Sequence, residues 1–124
     1  MPNFNFVLLY VNDPAKSAAF YSDLLGKKPM PNCPPTFAML PLNEQVMLGL
    51  WARHDVKPAA TGAAGTTEVA FGVADADAVR QTHADWSKRG VHIAQPPIDM
   101  GFGCTFTAVD PDGHRVRVSA PPPQ

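Results

Sequence analysis

Four histidines, two cysteines and one tryptophan-bearing strand are the places where this sequence could do chemistry. His54, His83, His92 and His114 fall in a linker, a helix, a strand and a turn. None stands at metal-ligand spacing from another or from a cysteine, which argues against a zinc site. Cys33 and Cys104 form no Cys-x-x-Cys pair, and Cys104 lies within an expected strand, so a thiolate nucleophile has little support. The glycines of 101–103 and 62–65 lack the strand–turn–helix context of a phosphate cradle. Glu68 is a possible general base. Trp51 closes an expected strand beside a loop and offers a flat apolar wall for stacking. No catalytic residue is assigned on these grounds.

Composition removes whole classes of partner. Ten Lys and Arg against eleven Asp and Glu leave a net charge of −1, with no segment that concentrates the basic residues. A nucleic-acid surface needs a cationic stripe, and none can be assembled here. The longest apolar run, Phe6 to Val11, is far short of the ~20 residues that span a bilayer, and the first residues lack the pattern of a signal peptide. Two cysteines set no disulfide framework. The expectation is a cytoplasmic protein with no nucleic-acid or membrane partner.

The elements that position these side chains are punctuated clearly. Asn5–Val11 is an apolar run of strand length. Asp13-Pro14 then writes a helix start, a carboxylate cap followed by proline at the first helical position, and Gly26 ends that helix after Leu25. Thr36–Leu40 and Gln45–Trp51 read as two short strands joined through Leu42-Asn43-Glu44. Further on, Glu68–Val73 is a strand, Asp75 caps a helix over Ala76–Arg89, and three strands follow at Val91–Ala94, Cys104–Val109 and His114–Ser119. Ile98–Gly103 reads as a flexible lip. Tyr10-Val11-Asn12-Asp13 lies over Gly72-Val73-Ala74-Asp75 at an offset of 73 − 11 = 62, so the chain reads as a duplication. A duplicated unit with an uncovered apolar sheet face must bury it against its copy. The expected fold is α+β: two βαβββ modules forming curled sheets around a cleft, with helices outside. All 124 residues would make a single domain, with module one at about 1–56, a linker at 57–66, module two at 67–120 and a proline-rich tail at 121–124.

That duplication, the opening Tyr10-Val11-Asn12-Asp13 with Phe20-Tyr21 and Leu25-Gly26, and the closing Asp110-Pro111-Asp112-Gly113-His114 resemble the vicinal oxygen chelate superfamily of glyoxalase I, extradiol dioxygenases and bleomycin-resistance proteins. The resemblance covers nearly the whole chain and speaks for fold more than for function. In metalloenzymes of that group, side chains from the first and last strand of each module converge on one divalent ion. Carried onto this sequence, the resemblance implies that those positions are Phe6, Gly49, Glu68 and Arg117. A phenyl ring and a hydrogen donate nothing, and a guanidinium has no acceptor. One carboxylate beside one fixed cation does not hold an ion that takes roughly four to six ligands, so neither a metal nor another cofactor is expected. Glu68 and Arg117 should instead pair with each other.

Strand parity from those positions implies the cleft lining. Phe6 shares a face with Leu8 and Tyr10, and Gly49 with Met47 and Trp51. The glycine would leave room beside the indole for a planar ring. Phe37, Met39, Phe102 and Phe106 are further candidates for the wall, and Glu68 with Arg117 for a polar edge. Within the group the likeness is greatest to small metal-free antibiotic-binding members of the phenazine-resistance type. This implies a homodimer that sequesters a planar hydrophobic molecule. The alternative is a metal-dependent glyoxalase-type lyase or dioxygenase-like enzyme, and a weaker one is a scaffold whose cleft has closed.

Overall fold

In the computed structural model, residues 2–123 are described; Met1 and the last residue of the expected tail, Gln124, lie outside them. The chain divides into two compact units, one ending at Gly65 and the other beginning at Thr66. Each combines one sheet with one helix, and the α+β class stands.

The first unit contains β1 (Phe6–Val11), α1 (Pro14–Leu25), β2 (Phe37–Pro41), β3 (Met47–Ala52) and a short 3-10 turn (Arg53–Asp55). Its sheet order is β1-β3-β2, with β1 parallel and β2 antiparallel to the central β3. The Asp13 carboxylate accepts from the backbone N–H groups of Ala15 at 3.1 Å and Lys16 at 3.2 Å, so the helix starts where the Asp-Pro signal places it. Gly26 closes it in the left-handed region at φ 66°. One sheet face carries Leu9, Val11, Leu40, Leu48, Leu50 and Ala52, all buried, and α1 packs Ala18, Tyr21 and Leu24 on that side. Removing any of the leucines to alanine would cost about 2–5 kcal/mol. This unit has three strands, one fewer than the expected βαβββ pattern. The stretch after the 3-10 turn is rich in Pro, Ala and Gly and forms no strand among the described residues.

The second unit runs β4 (Glu68–Gly72), α2 (Ala76–Lys88), β5 (His92–Met100), β6 (Gly103–Val109) and β7 (Arg115–Ala120), in sheet order β4-β7-β6-β5. Asp75 caps α2 by accepting from Ala78 N–H at 2.8 Å. Val69, Phe106, Ala108, Val116, Val118 and Ala120 form the buried face, with Val79 and Trp86 of α2 buried in the same unit. Between β6 and β7 the Asp110 carboxylate accepts from the backbone of Asp112 and of His114, both at 2.9 Å, and Gly113 takes φ 91°. His114 is buried, its Nδ1 hydrogen-bonded to the Thr67 hydroxyl.

Strand β5 is longer than the sequence suggests. It passes through Pro96-Pro97, with register breaks on either side of Gln95. It is also an edge strand, where a missing N–H breaks no ladder. Four of the six residues of the expected lip are therefore strand: Ile98, Asp99 and Met100 pair with Thr105, Cys104 and Gly103, and only Gly101 and Phe102 form the turn.

Candidate functional site

Period-two alternation leaves Phe6, Leu8 and Tyr10 of β1 on the sheet face away from α1, and the register sets them opposite Met47, Gly49 and Trp51 of β3. On the other side of β3, Phe37 pairs with Trp51 and Met39 with Gly49. Trp51 therefore stands in the centre of a row of three rings across the sheet. Tyr10 lies on one side at 6.3 Å and 82° and Phe37 on the other at 6.3 Å and 81°, both edge-to-face. Such contacts are worth about 0.5–1.5 kcal/mol each beyond area burial.

A further bond holds the indole. Its Nε1–H donates to Asp55 Oδ2 at 3.1 Å, because the 3-10 turn after β3 folds the chain back within four residues. The Trp51 N–H first, and then the Thr36 hydroxyl, hold the Asp55 carboxyl below its ordinary value. Partial burial pulls the other way, and His54 and Lys57 add smaller lowering contributions. Asp55 is thus ionised at neutral pH.

Beside this row lies a concavity of about 420 Å³ bounded by Phe6, Leu8, Pro34, Thr36, Phe37, Trp51 and Asp55. That volume is near the lower end of the range of roughly 300–1,000 Å³ usual for small-molecule sites. Leu8 and Tyr10 remain 43% and 40% exposed, a large apolar area to leave in water. Of the residues expected in the wall, Phe6, Phe37 and Trp51 border the hollow. Tyr10 braces the indole from its far side, and Met39 and Met47 share the face.

Two expectations are corrected. Gly49 does not leave room for a ligand. A Cβ there would lie 2.5 Å from Leu8 Cδ2 and 3.0 Å from Phe37 Cζ, so the protein's own side chains fill the space. Phe106 is no wall residue either. It is wholly buried on the helix side of its sheet, its ring 5.4 Å from Trp86 and 5.3 Å from His83. Phe102 occupies the turn between β5 and β6 and is 53% exposed. Asp55, Pro34 and Thr36 were missed by sequence reasoning. An acidic residue four positions after a strand-end tryptophan was the available signal.

The second unit holds the polar pair. Arg117 Nε donates to Glu68 Oε2 at 3.0 Å and Nη2 to Glu68 Oε1 at 3.3 Å, while Nη1 reaches Thr105 Oγ1 at 3.2 Å. Thr105 is in turn 2.9 Å from the Ser119 hydroxyl. The buried Thr107 Oγ1 on the same strand has no partner among the described residues.

These residues do not fit the divalent ion that the related metalloenzymes hold. In the first unit Phe6 and Gly49 supply no donor atom; in the second, each oxygen of Glu68 accepts from Arg117, whose fixed positive charge would repel an ion held there and which has no acceptor of its own to offer. Among the described residues, no three His, Cys, Asp or Glu side chains are grouped so as to share a metal.

Comparison with known proteins points the same way as the motifs. The family model described as Glyoxalase/Bleomycin resistance protein/Dioxygenase superfamily matches residues 3–118. A phenazine antibiotic resistance protein, EhpR of Enterobacter agglomerans, is 28% identical over 118 residues, which is 92% of this chain and 88% of that protein. A protein of Agrobacterium tumefaciens, solved in solution by NMR, is 44% identical with a TM-score of 0.86, covering 99% of this chain and 100% of its own. A glyoxalase/bleomycin resistance protein/dioxygenase from Nocardioides shares the fold at 22% identity and a TM-score of 0.83, over 98% of this chain and 85% of that one.

Proposed function

Because the chain belongs to the glyoxalase/bleomycin resistance protein/dioxygenase superfamily, we propose that it acts as a metal-independent binding protein that sequesters a planar aromatic small molecule, in the manner of antibiotic resistance. The observation that carries this reading is the indole of Trp51, tied to Asp55 and braced by Tyr10 and Phe37 at the edge of a mainly apolar hollow. A ring so held is a preorganised stacking surface, because its side-chain freedom is already lost before a ligand arrives. The likeness to a phenazine resistance protein supports a flat polycyclic ligand.

The strength of such binding follows from area. Covering about 200 Å² of apolar ligand surface at about 25 cal/mol per Å² contributes roughly 5 kcal/mol, and stacking adds about 1 kcal/mol. That total corresponds to a Kd of tens of micromolar before ordering costs. The reading includes a homodimer, since one open face encloses only part of a tricyclic ligand. No catalytic residue is assigned. Glu68, the one carboxylate at the implied metal positions, is engaged by Arg117 and is poorly placed to act as a base.

Calorimetric titration with phenazine tests the reading. Trp51→Ala is expected to weaken binding about tenfold or more, since it removes both area and stacking. An affinity unchanged by the substitution would remove the assigned wall. Sedimentation of the same samples should show two copies per particle.

A further inference from the structure

The hollow beside Trp51 contains one ionised group, and that group has bonding capacity to spare. Asp55 is half-buried and lines the hollow alongside Phe6, Leu8, Pro34 and Phe37. Its hydrogen-bond partners are the Trp51 N–H and the Thr36 hydroxyl, both neutral. A carboxylate offers about four lone-pair sites, so about two remain. The basic side chains nearby on the same segment, His54 and Lys57, are exposed, and Asp55 forms no ion pair among the described residues. A negative charge at the rim of an aromatic hollow attracts a cation twice over, by direct pairing and by the faces of Trp51 and Phe37.

Resting on the aromatic-site reading above, we infer that the site selects planar ligands carrying a positive charge, either a ring-nitrogen cation or a protonated amine at the ring edge, and disfavours those carrying a carboxylate. The neutral hydrogen bonds to Asp55 orient its carboxylate without neutralising it. A cationic ring stacked on the indole would bring its charge towards Asp55, whereas an anionic ring would meet like charge there.

Three phenazines of different charge test this at pH 7: neutral phenazine, N-methylphenazinium and phenazine-1-carboxylate. Binding is read from Trp51 fluorescence in a Trp86→Phe background. The expected order is cation, then neutral, then carboxylate, with the cation bound about tenfold more tightly than the neutral ring, as for a charge-assisted contact in a half-buried place. In Asp55→Asn the cation-to-neutral ratio should fall to near one, while Asp55→Glu, which keeps the charge, should retain a ratio above one. Because each ratio is taken within one protein, a general loss of stability does not imitate the effect. Equal binding of all three by the wild-type protein, or an order that survives in Asp55→Asn, overturns the charge selectivity and leaves the aromatic site standing. Failure of all three to quench overturns both.

Discussion

Arg117 passes over its register partner Ala70 to grip Glu68, whose own register partner is Arg115. The bond is two-toothed, and the third guanidinium nitrogen is fixed on Thr105, so all three nitrogens of the group are engaged. At 20% and 38% side-chain exposure, Arg117 and Glu68 are half-desolvated. Removing one partner therefore strands the other more than removing both does. Glu68→Ala and Arg117→Ala should each lower stability by about 1–2 kcal/mol, and the double variant by less than the sum. Urea unfolding of the four proteins measures this, and additive losses would mean that the two groups are not coupled.

Asp55 makes the tryptophan site sensitive to acid in a defined direction. Its carboxyl is held below the ordinary value of 3.8, chiefly by the Trp51 N–H. A depressed carboxyl contributes stability that is present above the unfolded value and is lost as pH falls through the folded one. Trp51 emission in a Trp86→Phe background should thus stay constant from pH 7 to about 4 and change only below 3.8. Asp55→Asn should abolish that step. A transition near pH 6 would point to a histidine instead.

Gly49 tests whether the packing of Leu8 and Phe37 shapes the hollow. An alanine methyl would fall 2.5 Å from Leu8 Cδ2, the flexible end of an exposed side chain, and 3.0 Å from the Phe37 ring. Leu8 can swing away; the ring is more constrained. Gly49→Ala should lower stability by about 1 kcal/mol and weaken phenazine binding severalfold, because the displaced side chains border the site. Thermal unfolding and calorimetry separate the two effects.

Phe106 should behave as core. Phe106→Ala is expected to cost about 3–5 kcal/mol, because it removes the ring against which Trp86 and His83 pack. A ligand-wall residue would instead change affinity with little loss of stability. Guanidinium unfolding monitored at Trp86 reports the difference directly.

Much of the framework was legible in the sequence because its causes are local. The Asp13-Pro14 start, the Gly26 stop and the Asp110–Gly113 turn each satisfy or free backbone groups within a few residues, so their signals survive without knowledge of the rest of the chain. Alternation likewise grouped Phe6, Leu8 and Tyr10 within β1 and Met47, Gly49 and Trp51 within β3, and the register sets the two groups side by side on one face. Alternation does not say which face a helix will cover. That is why Phe106 looked available while its ring lies buried in the core with Trp86.

By itself, then, the sequence determined the α+β class, the helix ends and the parity of each strand. Tertiary structure alone decided two things. The central position of β3 draws Tyr10, Trp51 and Phe37, separated by many residues of chain, into one row. The edge position of β5 lets a strand run through two prolines. Each depends on which strand lies beside which, a choice made by burial summed over a whole sheet and written in no short stretch of residues.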